Sequence, residues 1–527
     1  MRRRDLLTTG AAWTAGATGL ARPAIGASAR ILRFVPQGNL QNPDPIWTTT
    51  VIARNHGYVI WDTLWGLDDQ LQPKPQMLAG ATVSDDKLTW TLTLRDGLLW
   101  HDGEKVRAAD CVASIARWSR RDGFGQRLAT QTAAMTARDD RAIEIRLTKP
   151  FPILPYALGQ GTCFMMPERM AKTDPYQQIK EYVGSGPYRF VTDEWVSGSK
   201  AVYAKFDGYK PRDEAPSFTA GGKVANFDRI EWLVMPDPAT ASAALQTGEV
   251  DWIEQPIADL LPQLRRAAGV VVENVDLLGA IGIIRFNHLQ PPFNNPKLRR
   301  ALLPAVDQSS FMAAVMGDEQ SLARTGVGVF ALGTPLANDA SLDVLTGPRD
   351  VERAKKLVKE SGYNGERVVL MSPSDFPVVQ AVAQVTRDLY ERVGLNVDFI
   401  STDWGTLITR RNSKESVDKG GWSTFCTYGD GLGFSNPATH TALWGSGEKG
   451  WYGWPTSERI EALRNAWYDA PDLSAQQKIA RDLQTVAFEE VPYIPVGQWY
   501  QPIARRTNLT GLVRSILPIF WNVKRST

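Results

Sequence analysis

The sequence predicts an α/β protein, α+β in part, divided into more than one lobe, and three observations carry that expectation. Residues 367–400 read as strand, helix, glycine stop and strand. Residues 88–147 read as strand, turn, helix and strand. At 527 residues the chain also far exceeds the size at which one apolar core keeps growing, so roughly two to four lobes are expected.

The elements follow in chain order. The first 29 residues, "MRRRDLLTTGAAWTAGATGLARPAIGASA", combine a basic start, a weakly apolar glycine- and alanine-rich middle and a small-x-small site at Ala27-Ser28-Ala29. That pattern predicts a cleavable secretory signal over residues 1–29, of the twin-arginine type because consecutive arginines precede "DLL". The segment holds four arginines and one aspartate, against 59 basic and 57 acidic residues overall, so the remainder is nearly neutral. No basic stripe of the kind a phosphate backbone requires is left, which argues against nucleic acid as a partner. Beyond the amino terminus no run of about 18 apolar residues occurs, so the mature chain is expected not to be membrane-embedded.

"LTWTLTLRDGLLWHDG" (88–103) alternates Leu88, Trp90, Leu92 and Leu94 with polar residues and then turns at Asp96-Gly97, which predicts a hairpin with one buried face. "ADCVASIARW" has helical spacing at Cys111, Ile115 and Trp118, and "RAIEIRL" (141–147) alternates again, so residues 65–184 read as an α+β lobe. In "PPFNNPKLRRAL" the prolines fix a loop ahead of a helix burying Leu298, Ala301 and Leu302. "RDVERAKKLVKESGY" (349–363) is a helix with Asp350 as its cap and Gly362 at its end. Then "RVVLM", "VVQAVAQVTRDLYERV" and "LNVDFI" compose a βαβ unit, whose crossover implies a parallel strand pair covered by the helix.

Chemistry-bearing patterns are sparse. Cys111, Cys163 and Cys426 lie far apart, and three thiols allow one disulfide at most. His56, His101, His288 and His440 are isolated from one another, and no C-x-x-C or H-x-x-x-H spacing suggests a metal. A G-x-S-x-G elbow and a P-loop are both missing from the sequence, and the pairs Asp85-Asp86 and Asp139-Asp140 fall in predicted turns where aspartate caps backbone. No enzyme, cofactor or metal is therefore expected.

Four segments in order resemble the bacterial extracellular solute-binding proteins of family 5, the dipeptide, oligopeptide and nickel-complex receptors of ABC importers. They are residues 57–118, beginning "GYVIWDTLWGLDDQL", "VGSGPYRF" (183–190), "FDRIEWLVMPDPATASAALQTGEVDWI" (227–253) and "IRFNHLQPPFNNPKLRRALLPAVDQ" (284–308). The resemblance implies a two-lobed periplasmic-binding-protein fold with an extra inserted domain. Carried over, residues 30–64, 185–284 and 497–527 form the first lobe, 65–184 the inserted domain and 285–496 the second lobe. It further implies a monomeric periplasmic receptor that closes on a small-molecule or peptide ligand and presents it to the transmembrane subunits of an ABC permease. Metal chelates, opines and oligosaccharides stay open as ligands, a chemoreceptor stays open as the partner, and a secreted hydrolase is the rival class.

"KGGWSTFCTYGDG" (419–431) gathers three aromatics, one thiol and one carboxylate among four glycines, a mixture suited to a loop that receives a small molecule. The resemblance places this loop at the cleft, which makes Trp422, Phe425, Tyr428 and Asp430 ligand candidates. Phe425 occupies the position where peptide-binding relatives carry the acid that holds a peptide's amino group. By the same resemblance Arg410, beside Arg411, lies near ligand, and one of the two meets an anionic group through a bidentate fork. Leu40 and Trp47, in "QGNLQNPDPIWTT", and Phe124, from the inserted domain, complete the expected site.

Overall fold

The computed structural model describes residues 30–470 and 472–526; the expected signal segment lies outside them. Two sheets organise the chain. The first has seven strands in the order Val270–Glu273, Ile503–Arg506, Trp252–Ile253, Ile31–Val35, Arg229–Leu233, Lys200–Lys205 and Tyr188–Phe190. Ile31–Val35 runs parallel to both neighbours, so Val35, Leu233 and Ile253 end on one edge of the sheet. The second has six strands in the order Ala323–Arg324, Tyr493–Trp499, Ala280–Phe286, Thr424–Asp430, Arg367–Pro373 and Asn396–Thr402.

The chain crosses between these sheets at 274–279 and again at 500–502. The lobe boundaries drawn at 284 and 497 therefore fall inside strands of the second sheet. The reason is visible in "AIGIIRF" and "YIPVGQW": every residue of both strands is buried, so they lie in the interior of the sheet and cannot be divided between lobes.

Residues 367–402 form the expected βαβ unit. The strands pair in parallel register from Arg367 opposite Asn396 to Pro373 opposite Thr402, and Pro377–Arg392 covers them with Val379, Val382, Ala383 and Leu389 buried. Asp350 caps Val351–Glu360 by accepting from the Arg353 amide at 2.8 Å.

A third, four-stranded antiparallel sheet lies within residues 78–147, in the order Leu78–Val83, Thr89–Leu94, Ala142–Leu147 and Thr132–Ala137. Helix Ala108–Trp118 packs on it with Cys111, Ile115 and Trp118 buried, as their spacing predicts. The expected hairpin at Asp96-Gly97 does not form. Thr89–Leu94 pairs instead with Leu78–Val83 and Ala142–Leu147, because Leu98 and Trp100 turn into the core and cannot continue an alternating strand.

Side chains from the first sheet, from residues 65–184 and from part of the second lobe share one continuous apolar core, which includes Phe34, Trp232, Ile115, Ile143, Phe330 and Phe434; a further core lies wholly within the second lobe. Two enclosed ion pairs cross the larger core, Arg117 with Asp44 at 2.7 Å and Lys223 with Asp62 at 2.8 Å. Asp44 also accepts from the Ile46 and Ile179 amides at 3.0 Å each, so its lone pairs are satisfied away from water. The turn at Gly184 needs glycine, since a Cβ there would lie 1.8 Å from the Ile60 carbonyl oxygen. All three cysteines are buried and free.

Candidate functional site

A cleft of about 1050 Å³ opens between the two large sheets. Strand Ile31–Val35 leads to Gln37, Gly38 and Asn39 in its wall, and the last four residues of Thr424–Asp430 enter it from the opposite lobe. The carboxyl ends of strands are where open α/β sheets leave a crevice for ligands. Residues 118–123 and 160–162 close one side.

Polar contacts span the cleft. Arg54, on helix Val51–Ile60, forms an ion pair with Asp430. Burial works against the Arg54 charge, yet Asp430 holds its pKa above the usual value. The Tyr428 hydroxyl donates to Gln37 Oε1 and accepts from Gln255 Nε2 at 3.2 Å. Beneath them the Glu254 carboxylate accepts from the Gln37 amide at 2.7 Å and from Asn55 Nδ2 at 3.0 Å. Burial raises Glu254 to about 7.

The second lobe supplies an aromatic wall from Trp444, Trp451, Tyr452 and Trp454. Its loop is held by Arg285, a fully buried cation on strand Ala280–Phe286 that pairs with no carboxylate among the described residues. Arg285 donates to the carbonyls of Tyr452 at 2.5 Å, Ala442 at 2.8 Å, Pro492 at 3.1 Å and Trp451 at 3.4 Å. Its guanidinium also lies 4.9 Å from the centre of the Trp451 ring, so the wall is fixed by one side chain. Burial lowers Arg285 to about 9.

Arg411 follows helix Trp404–Arg410 and lines the cleft while only 4% exposed. Its guanidinium stacks 4.2 Å above the Tyr452 ring and 5.9 Å from that of Trp451. Its Nε is buried without a partner, and no carboxylate among the described residues pairs with it. Burial lowers its pKa.

Of the expected site residues, Tyr428 and Asp430 line the cleft. The other six do not. "KGGWSTFCTYGDG" is no loop: Thr424–Asp430 is an interior strand, antiparallel to Ala280–Phe286 and parallel to Arg367–Pro373. Trp422 and Phe425 are fully buried in a cluster with Met371, Leu407 and Trp454, so they support the aromatic wall from behind. Trp422 Nε1 is satisfied there by the Arg411 and Ser413 carbonyls at 3.2 and 3.1 Å. Gly429 is required for closeness, since a Cβ would meet the Phe434 ring at 1.8 Å.

Arg410 points away, donating to the Gly420 and Gly421 carbonyls at 2.9 and 2.8 Å, and its neighbour Arg411 reaches the cleft. Leu40 is buried in the main core. Trp47 is half-buried outside the cleft lining, its carbonyl accepting from Arg121 Nη2 at 3.2 Å. Phe124 packs against Tyr156, Trp467 and Tyr468 where the inserted residues meet the second lobe. Arg54 and the "WYGW" run at 451–454 were not anticipated; the aromatic density of "WYGW" was the available signal.

Residues 72–450 match the family of bacterial extracellular solute-binding proteins, family 5. The chain is 38% identical over 530 residues to the Sinorhizobium fredii protein named "Probable peptide ABC transporter periplasmic-binding protein y4tO", covering 99% of each. Among solved structures it is similar to the periplasmic binding protein DppA of Helicobacter pylori in complex with peptide STSA, with a TM-score of 0.79 at 19% identity over 94% of this chain and 98% of that one. It is likewise similar to the A. tumefaciens binding protein AgaA in complex with agropinic acid, with a TM-score of 0.78 at 21% identity over 94% and 99%. With the cleft between its two sheets, the chain has the two-lobed periplasmic-binding-protein fold and belongs to the bacterial extracellular solute-binding proteins of family 5.

Proposed function

We propose that the mature chain is a monomeric periplasmic receptor that captures a peptide-like or other small polar solute between its lobes and delivers it to the transmembrane subunits of an ABC permease. The observation that carries this reading is the cleft of about 1050 Å³ whose two walls belong to different sheets and meet through Arg54–Asp430 and Gln37–Tyr428. A site divided in that way exists only when the lobes approach, so occupancy and closure are linked. The family and the peptide-transport name of the 38% identical relative support the same role and give no reason to assign an enzymatic one.

In this reading the first lobe comprises 30–64, 185–273 and 503–527, the second lobe 280–499, and 65–184 is the inserted domain, with hinges at 274–279 and 500–502. Tyr428, Asp430, Arg411 and the 444–454 wall face the solute. Residues 1–29 direct export by the twin-arginine route and are removed. Mass spectrometry of small molecules released on denaturing protein taken from the periplasm tests the receptor role. A stoichiometric solute is expected, and its repeated absence, with turnover of a chromogenic peptide panel instead, favours a hydrolase. Replacing Arg3 and Arg4 by lysine should leave precursor in the cytoplasm, read by fractionation and amino-terminal sequencing; export unchanged by the substitution contradicts the twin-arginine assignment.

A further inference from the structure

The inserted residues meet the second lobe in a contact that includes neither chain crossing, between helices Gly123–Gln131 and Glu458–Tyr468. Asp469, which ends the latter helix, takes its cations from the other side of that contact: Arg127 Nη2 at 2.5 Å and Lys149 Nζ at 3.0 Å. An acid at a helix carboxyl end works against the helix dipole, and the last turn of this helix carries no basic residue. The Asp469 charge is therefore balanced across the contact and not within its own helix.

Around these pairs the two surfaces fit closely. The Tyr468 hydroxyl donates to the Gly123 carbonyl at 3.0 Å, and the Arg127 guanidinium lies 5.3 Å from the centre of the Tyr468 ring. Phe124 is fully buried, with its ring centre 6.4 Å from that of Trp467 and 6.0 Å from that of Tyr468. Gly123 fixes how near the surfaces come. Its backbone is not left-handed, so conformation does not demand glycine, but a Cβ there would lie 2.2 Å from the Ala438 carbonyl oxygen and 2.9 Å from the Trp444 ring. Gly123, Ala438 and Trp444 all line the cleft, so the spacing of this contact is also the spacing of two cleft walls.

Building on the receptor reading, we infer that the inserted domain clasps the second lobe in the closed state, Gly123 setting the closing distance and Asp469 the strength, so that these residues govern how slowly a captured solute leaves without binding it themselves. A clasp that engages after capture acts on dissociation and leaves association unchanged.

The test compares mature protein from residue 30 onward with Asp469→Asn, Asp469→Glu and Gly123→Ala, all stripped by unfolding and refolding. In hydrogen exchange on the solute-free proteins, Asp469→Asn should raise exchange in 123–131 and 458–468 roughly three- to tenfold, the loss expected for two exposed ion pairs, and leave Arg367–Pro373 unchanged. Asp469→Glu, which keeps the charge, should stay near wild type. Gly123→Ala should fold, as read by circular dichroism, and show the same exchange pattern; if it is unfolded, Asp469→Asn carries the test alone. Each protein is then reloaded with the small-molecule fraction that denatured wild-type protein releases. Both Asp469→Asn and Gly123→Ala should lose that fraction faster than wild type on dilution, again roughly three- to tenfold, and take it up at the wild-type rate. Exchange in 123–131 and 458–468 that is equal in wild type and Asp469→Asn overturns the clasp. So does slower uptake with unchanged loss. Wild-type protein that releases no small molecule contradicts the receptor reading instead, and the exchange comparison on solute-free protein still decides the clasp.

Discussion

Glu254 is a cleft-floor residue whose protonation the fold controls. Burial raises its pKa from 4.5 to about 7, so between those values the folded chain holds a proton that the unfolded chain has released. Its contribution to stability is therefore whole below about pH 4.5 and lost as pH rises to about 7. Asp122 and Asp276, raised from 3.8 to about 6 by burial, act in the same direction but finish lower. Four buried histidines act in the opposite sense over this range, so the part due to Glu254 is read as a difference: in urea melts the stability of the wild type relative to Glu254→Gln should fall as pH rises from about 4.5 to about 7. An unchanged slope contradicts the assignment. Trp422, by contrast, belongs to packing: fully enclosed against Phe425 and Trp454, its replacement by alanine should cost about 3–5 kcal/mol of unfolding free energy. Denaturant titration measures that loss, and a cost below about 1 kcal/mol places the ring outside the core.

Among the elements, the loop carrying Trp444, Trp451, Tyr452 and Trp454 depends on a strand residue distant in sequence. Arg285 joins three separate segments through the carbonyls of residues 442, 451, 452 and 492. Arg285→Met should leave those oxygens without their donor and loosen the wall. Hydrogen exchange should rise in 442–454 well before it rises in Arg367–Pro373, and uniform protection across both contradicts a pinning role. The βαβ unit was legible because its periodicity changes from strand to helix and back, and the capped helix at 351–360 because Asp350 and Gly362 mark its ends. The strand Thr424–Asp430 was not. Its glycines suggested a turn, while the Phe434 ring that demands Gly429 is a tertiary neighbour absent from local pattern. Six of eight expected site residues missed the cleft for the same reason: sequence placed the segment but not which way each side chain faces.

At the scale of the molecule, two chain crossings at 274–279 and 500–502 join the two large sheets, the arrangement from which hinge closure arises. Polar contacts across the cleft, Arg54–Asp430 and Tyr428 with Gln37 and Gln255, join the shared apolar core and the Arg127–Asp469 and Arg265–Glu319 pairs in holding the lobes together without solute. Additional bonds from a bound solute to both walls would shift the population toward the closed state. The central claim is that solute closes the lobes, and small-angle scattering tests it most directly. Mature protein is stripped by unfolding and refolding, then measured with and without the small-molecule fraction it releases. The account predicts a smaller radius of gyration when that fraction is restored at saturation; an identical scattering profile, with binding confirmed by calorimetry, contradicts it.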